Sequence, residues 1–123
     1  MNVKLLKTED ENRFLIFVNN ENVGEVVMQV YENFLLLYHI DIYKEYRYKG
    51  YGKIVVKMLL KSYIIIGESL RKSARFWNSC MEEFGGYKIK KTNFGNTVFT
   101  FIIGKNEINE KTLDRLLEKT AEY

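Results

Sequence analysis

Arg47-Tyr48-Lys49-Gly50-Tyr51-Gly52 is the stretch whose residue types and spacing are best suited to chemistry. It lies between an apolar, strand-like run (Leu35 to Ile42) and a helical pattern that starts near Lys53. A strand, a glycine loop and a helix N-terminus together make an anion cradle. Gly50 and Gly52 let the backbone turn tightly and approach a ligand closely. The first N–H groups of a helix have no intrahelical partner and carry the positive end of its dipole. Arg47, Lys49 and Lys53 crowd that same end, where cations oppose the dipole by a few tenths of a kcal/mol each. A bound pyrophosphate would reverse the sign. The same six residues also read as a glycine-bearing turn with solvated lysines, and by themselves they leave both readings open.

The elements that must position this loop follow from periodicity. Val3 to Lys7 reads as a short strand, Thr8 to Asn12 as a polar turn, and Arg13 to Val18 as a second strand. Asn19 to Asn22 is a turn by composition. Val23 to Tyr31 and Phe34 to Ile42 complete a meander of antiparallel strands. The period then changes. Ile54, Val55, Met58 and Leu59 share one helical face and Lys53, Lys57 and Lys61 another, which predicts an amphipathic helix from about Gly52 to Tyr63. Ile64-Ile65-Ile66 reads as a strand buried on both faces. Strand–helix–strand calls for a parallel pair with a right-handed crossover. Arg71 to Phe84 reads as a second helix, with Ser69 as its N-cap and Gly85-Gly86 as its stop. Tyr87 to Lys91 and Thr97 to Ile103 read as a hairpin around Asn93-Phe94-Gly95-Asn96. Residues 106–123 place Leu113, Leu116 and Leu117 at helical spacing, a tail helix that needs a surface to dock on.

The 123 residues suit one domain, 1–123, with one core. Hydrophobic residues are 46% and charged residues 28%, ordinary for a soluble globular chain. No apolar run approaches the ~18 residues of a membrane span. No signal-peptide pattern opens the chain, and Cys80, the single cysteine, forms no intrachain disulfide. A cytoplasmic setting is the expectation. A net charge of +3, with lysines interleaved among acids, argues against a dedicated nucleic-acid binder. One His and one Cys make no zinc site of ordinary spacing, so no metal is expected. The absence of proline and the abundance of Lys, Asn and Ile fit an AT-rich genome, phage or bacterial.

With these elements in place, the chain resembles the GNAT superfamily of acyl-CoA N-acyltransferases. The family's Arg/Gln-x-x-Gly-x-Gly/Ala loop is matched at every fixed position by Arg47 to Gly52, in its strand-to-helix context. The resemblance covers about residues 13 to 104. It implies an α/β (α+β) fold: a mixed, mostly antiparallel central sheet with a central parallel strand pair and flanking helices. It implies acetyl-CoA as co-substrate and direct acetyl transfer to a primary amine, either a protein lysine or N-terminus or a small amine. Pyrophosphate would be held by backbone donors from Tyr48, Lys49, Gly50, Tyr51, Gly52 and Lys53, with Arg47 shaping the loop. Ile40, Asp41 and Ile42 would carry the strand bulge whose N–H groups meet the oxyanion. Trp77 would border CoA.

The chain departs from the family pattern twice. Only Thr8 to Asn12 separates the first two strands, so the helices that usually wall the acceptor site look absent. The tyrosine that usually protonates the CoA sulfur is replaced by Trp77 or Met81, depending on the alignment. An inactive CoA-binding regulatory or interaction module is therefore the alternative. Strand parity puts Leu36, Tyr38, Ile40 and Ile42 on the base-bearing face and sends His39 and Asp41 to the other. Tyr38 is a proton relay or a core aromatic. Glu68, in the loop after the Ile64–Ile66 strand, orients the amine or is simply solvated. Cys80 packs in its helix, and the tail helix admits a homodimer.

Overall fold

The structure, a computed structural model, describes residues 1–90 and 97–104. The hairpin turn expected at 93–96 and the tail helix expected over 106–123 lie outside the described residues. Seven strands form one sheet: β1 (Val3–Lys7), β2 (Arg13–Val18), β3 (Glu21–Val30), β4 (Phe34–Ile42), β5 (Ile64–Leu70), β6 (Gly86–Lys90) and β7 (Thr97–Ile103). Their order across the sheet is β1-β2-β3-β4-β5-β7-β6. Only β4 and β5 run parallel; every other neighbouring pair is antiparallel. The expected mixed sheet with a central parallel pair is thus what forms, and β1 passes to β2 through Thr8–Asn12 with no intervening helix.

Helix α1 (Tyr51–Leu59) supplies the crossover between the parallel strands, and α2 (Ala74–Phe84) follows β5 after a short 3-10 turn at Arg71–Ser73. Val55, Val56 and Leu59 of α1 and Trp77, Cys80 and Met81 of α2 are buried in the same cluster as Leu35, Leu37, Ile65, Phe101 and Ile103 of the sheet. Both helices therefore cover one face. Residues of opposite parity, Phe34, Leu36, Ile66 and Ile102, form a smaller cluster on the other face, to which no described helix contributes.

Several boundaries differ from the sequence reading: β3 spans Glu21–Val30 rather than Val23 to Tyr31, α1 ends at Leu59 rather than Tyr63, and α2 begins at Ala74 rather than Arg71. The fifth strand runs to Leu70 rather than stopping at Ile66, so Glu68 is a strand residue. Gly67-Glu68-Ser69 carries little strand propensity, and pairing with β7 through Leu70 overrides it. Ser69 is accordingly not a helix cap: it is fully buried and its hydroxyl donates to the Leu70 carbonyl at 3.0 Å. The N-cap position of α2 is Ser73. Gly67 is needed for packing, because a Cβ there would lie 2.6 Å from Phe101 Cζ and 3.0 Å from the Leu37 carbonyl oxygen.

Candidate active site

After β4 the chain makes a 3-10 turn at Lys44–Tyr46 and enters α1 through Gly50, whose φ of 79° lies in the left-handed region. Tyr48 is also left-handed, at φ 65°, with its ring fully in solvent. The two loop glycines have different reasons. A Cβ on Gly50 would touch nothing, so its need is conformational. A Cβ on Gly52 would lie 3.0 Å from Phe76 Cε1, so its need is the close seat of α2 against the start of α1. The backbone N–H groups of Tyr48 through Lys53 donate to no acceptor among the described residues. A run of orphan donors at the positive end of a nine-residue helix fits a pyrophosphate group.

Arg47 plays a different part. Its Nε donates to the Ile42 carbonyl at 2.7 Å and its guanidinium pairs with Asp41 Oδ1 at 3.3 Å. It straps the loop to the end of β4. Lys49 stands over the Tyr46 ring at 5.9 Å, and Lys53 Nζ meets Glu83 Oε2 at 3.5 Å. Both are surface contacts of small energy, so either ammonium can turn to an anion at little cost.

The strand before the loop splits from its neighbour. β4 pairs with β5 from Phe34↔Ile64 to Leu37↔Gly67 and no further. From His39 onward the β5-facing edge of β4 has no ladder partner among the described residues. At that point β4 also bulges: Met28 pairs with Leu37 and Val27 with His39, leaving Tyr38 as the extra residue. The expected bulge at Ile40–Ile42 thus sits at Tyr38, and it resets the parity of the strand. Leu35 and Leu37 face the helices before it; Ile40 and Ile42 face them after it. Leu36 does not share a face with Ile40 and Ile42, and His39 and Asp41 are turned to the face of Leu36, opposite to the sequence expectation.

Two cavities open at the split. The larger, about 500 Å³, has Leu37 to Ile42 on one bank and Glu68 and Leu70 on the other. Arg47 and Tyr48 close its loop end, and Lys72, Ser73, Phe76 and Trp77 its helical side. Of these, Lys72, Ser73 and Phe76 were not legible from sequence, because only the packing of α2 brings them to the cleft. The smaller cavity, about 330 Å³, shares Leu37, Tyr38, Glu68 and Leu70 and adds Leu36, Ile66, Gly67 and Thr100.

Tyr38, on β4, and Glu68, on β5, both line each of the two cavities. The Tyr38 hydroxyl donates to Gln29 Oε1 at 3.0 Å, and Glu68 Oε2 accepts from Thr97 Oγ1 at 3.5 Å. Trp77 is chiefly a core residue, 5% exposed and stacked on Phe101 at 4.4 Å, with only its edge reaching the cleft. Cys80 is buried, and burial pushes its thiol up to about 12, so it is no nucleophile. The Tyr46 phenol is raised above its ordinary value by the nearby Glu21 carboxylate.

The fold also builds a cluster that spacing did not foretell. Glu25, His39 and Asp41 bring their donor atoms within 4.8 Å of one another on the face away from the helices. An arginine sits on each carboxylate: Arg13 on Glu25 at 3.2 Å and Arg47 on Asp41 at 3.3 Å. The cluster is close to charge-balanced as it stands.

No protein-family model matches the sequence, and no curated protein matches it. Solved structures do. A protein described as an acetyltransferase of the GNAT family, from Bacteroides thetaiotaomicron, superposes with a TM-score of 0.67 at 17% identity, over 90% of this chain and 72% of that one. The ribosomal-protein-S18-alanine N-acetyltransferase of Escherichia coli gives 0.57 at 16% identity, over 79% and 72%. An N-acetyltransferase of Bacillus subtilis, in complex with coenzyme A, gives 0.52 at 18% identity, over 73% and 66%. This chain has the GNAT fold. The split between β4 and β5 and the first two residues of the loop, Arg47 and Tyr48, line one cleft. No helix among the described residues is long and apolar enough to cross a membrane.

Proposed function

We propose that the chain transfers an acetyl group from acetyl-CoA to a primary amine, acting as an N-acetyltransferase. The observation that carries this reading is the meeting of six orphan loop donors with a slot between two parallel strands. Acetyl-CoA would supply the acetyl group and leave as the free thiol. The N–H groups from Tyr48 to Lys53 would hold its pyrophosphate, with Arg47 fixing the loop. The edge of β4 from His39 to Ile42, beyond the β5 ladder, offers backbone donors to a pantetheine arm and to a carbonyl oxygen that gains charge. Glu68 sits where it can orient the incoming amine and take its proton through water, and Tyr38 where it can relay that proton. Lys72 and Ser73, at the entry to α2, line the cleft on its helical side.

The second reading is a CoA-binding module without catalysis. It is favoured by one observation: Trp77 and Met81, at the positions where a tyrosine would protonate sulfur, are both buried hydrophobic residues of α2. The test is thermal shift with CoA, followed by thiol release from acetyl-CoA over a broad amine panel. A shift with amine-dependent thiol release is the expected result. A shift without release for any amine leaves the binding module, and no shift removes both readings.

A further inference from the structure

We propose that the smaller cavity seats the acceptor, and that it takes one primary ammonium carried on an apolar body rather than a polycation. This rests on the acetyl-transfer reading and specifies its substrate class. The cavity opens on the sheet face that no described helix covers, since its floor is Leu36 and Ile66 of the second cluster. It meets the larger cleft at Leu37, Tyr38, Glu68 and Leu70, so a group seated in it reaches the split between β4 and β5. Its volume of about 330 Å³ is at the low end for small-molecule sites, which run from about 300 to 1,000 Å³.

Its chemistry is one-sided. Leu36 and Ile66 are buried apolar walls, 9% and 3% exposed, and Glu68 is the one ionisable carboxylate in the lining. No cation among the described residues ion-pairs with Glu68, whose carboxylate accepts only a long hydrogen bond from Thr97 there. An ammonium would complete it. Two further carboxylates on that face, Glu25 and Asp41, already carry Arg13 and Arg47. A second or third ammonium of a polyamine would have to displace an arginine, and its stem would pair badly with leucine and isoleucine. An alkyl or arylalkyl amine, or a peptide N-terminus behind an apolar first side chain, satisfies both features.

The experiment uses the full chain. Thiol release is followed with 2-phenylethylamine, with spermidine, with a short peptide beginning in leucine, and with an N-terminally blocked lysine peptide. Binding of 2-phenylethylamine to the CoA-loaded chain is measured by calorimetry. The expected result is a kcat/KM for 2-phenylethylamine or the leucine peptide roughly tenfold or more above spermidine. Which of those two is preferred distinguishes a free amine from a peptide N-terminus. Glu68→Gln, an isosteric change at an exposed position, should raise the KM of the preferred amine roughly tenfold, the loss of one charge-assisted contact. Its CoA-induced thermal shift should persist. Spermidine or the lysine peptide as the best acceptor, or an unchanged amine KM in Glu68→Gln, overturns the inference while acetyl transfer stands. If no amine releases thiol, the acetyl-transfer reading fails. Calorimetry then decides the cavity alone: binding that Glu68→Gln weakens keeps it, and absence of binding removes it.

Discussion

The two halves of β4 have opposite characters. Phe34 to Leu37 are all buried and paired to β5, and Leu35 to Leu37 are paired to β3 as well. His39 to Ile42 are exposed or half-buried and keep only the β3 ladder. One extra residue, Tyr38, separates them. The first half is a structural beam; the second, released from β5, is a wall with free backbone groups. Where a parallel pair parts, the fold gives up ladder hydrogen bonds that water or a ligand must replace, and a cleft opens there.

The contrast is broken most severely in the beam. Leu35→Ala removes a fully buried side chain and should cost about 2–5 kcal/mol in denaturant unfolding. Ile40→Ala, in the wall and only partly buried, should cost less than half as much. Equal losses would mean that the second half is as structural as the first.

The loop comes next in size. Gly50→Ala forces a side chain into a left-handed conformation, at a cost of about 1–2 kcal/mol. It should weaken CoA binding roughly tenfold by calorimetry, because the donors beside it lose their aim. Asp41→Asn loosens the Arg47 strap, an exposed pair. A fall of a few-fold in CoA affinity, with stability changed by less than ~0.5 kcal/mol, is expected. A stability loss larger than the affinity loss would make the strap a folding element instead.

The smallest effect concerns Cys80. Burial raises its thiol from 9.0 to about 12, so the folded chain keeps the proton where the unfolded chain gives it up. Its contribution is complete below pH 9.0 and is lost as pH rises from there toward about 12. Alkylation by iodoacetamide at pH 8 should be slow in the folded chain and fast in denaturant. Rapid modification of the folded chain would contradict the burial.

Much of this was legible in the residues. Alternation marked β1, β2 and β4 to the residue, and the change of period near Gly52 marked α1. The Arg47–Gly52 loop was legible because glycine spacing and a helix start are local facts. The end of β5 was not: Gly67, Glu68 and Ser69 are poor strand formers held in place by β7, a partner some thirty positions away. Nor was the Glu25–His39–Asp41 cluster, whose members meet only through the β3–β4 register.

The sequence by itself therefore determined the order of the elements and the place of the glycine loop at the start of α1, since both rest on propensity and periodicity over a few residues. The tertiary structure alone decided which side chains share a face beyond Tyr38. Strand parity extends a period of two along the chain, and a single bulged residue inverts it. That inversion turned His39 and Asp41 to the face of Glu25 and Leu36. It depends on how β4 seats against β3, and the local pattern of β4 does not encode that register.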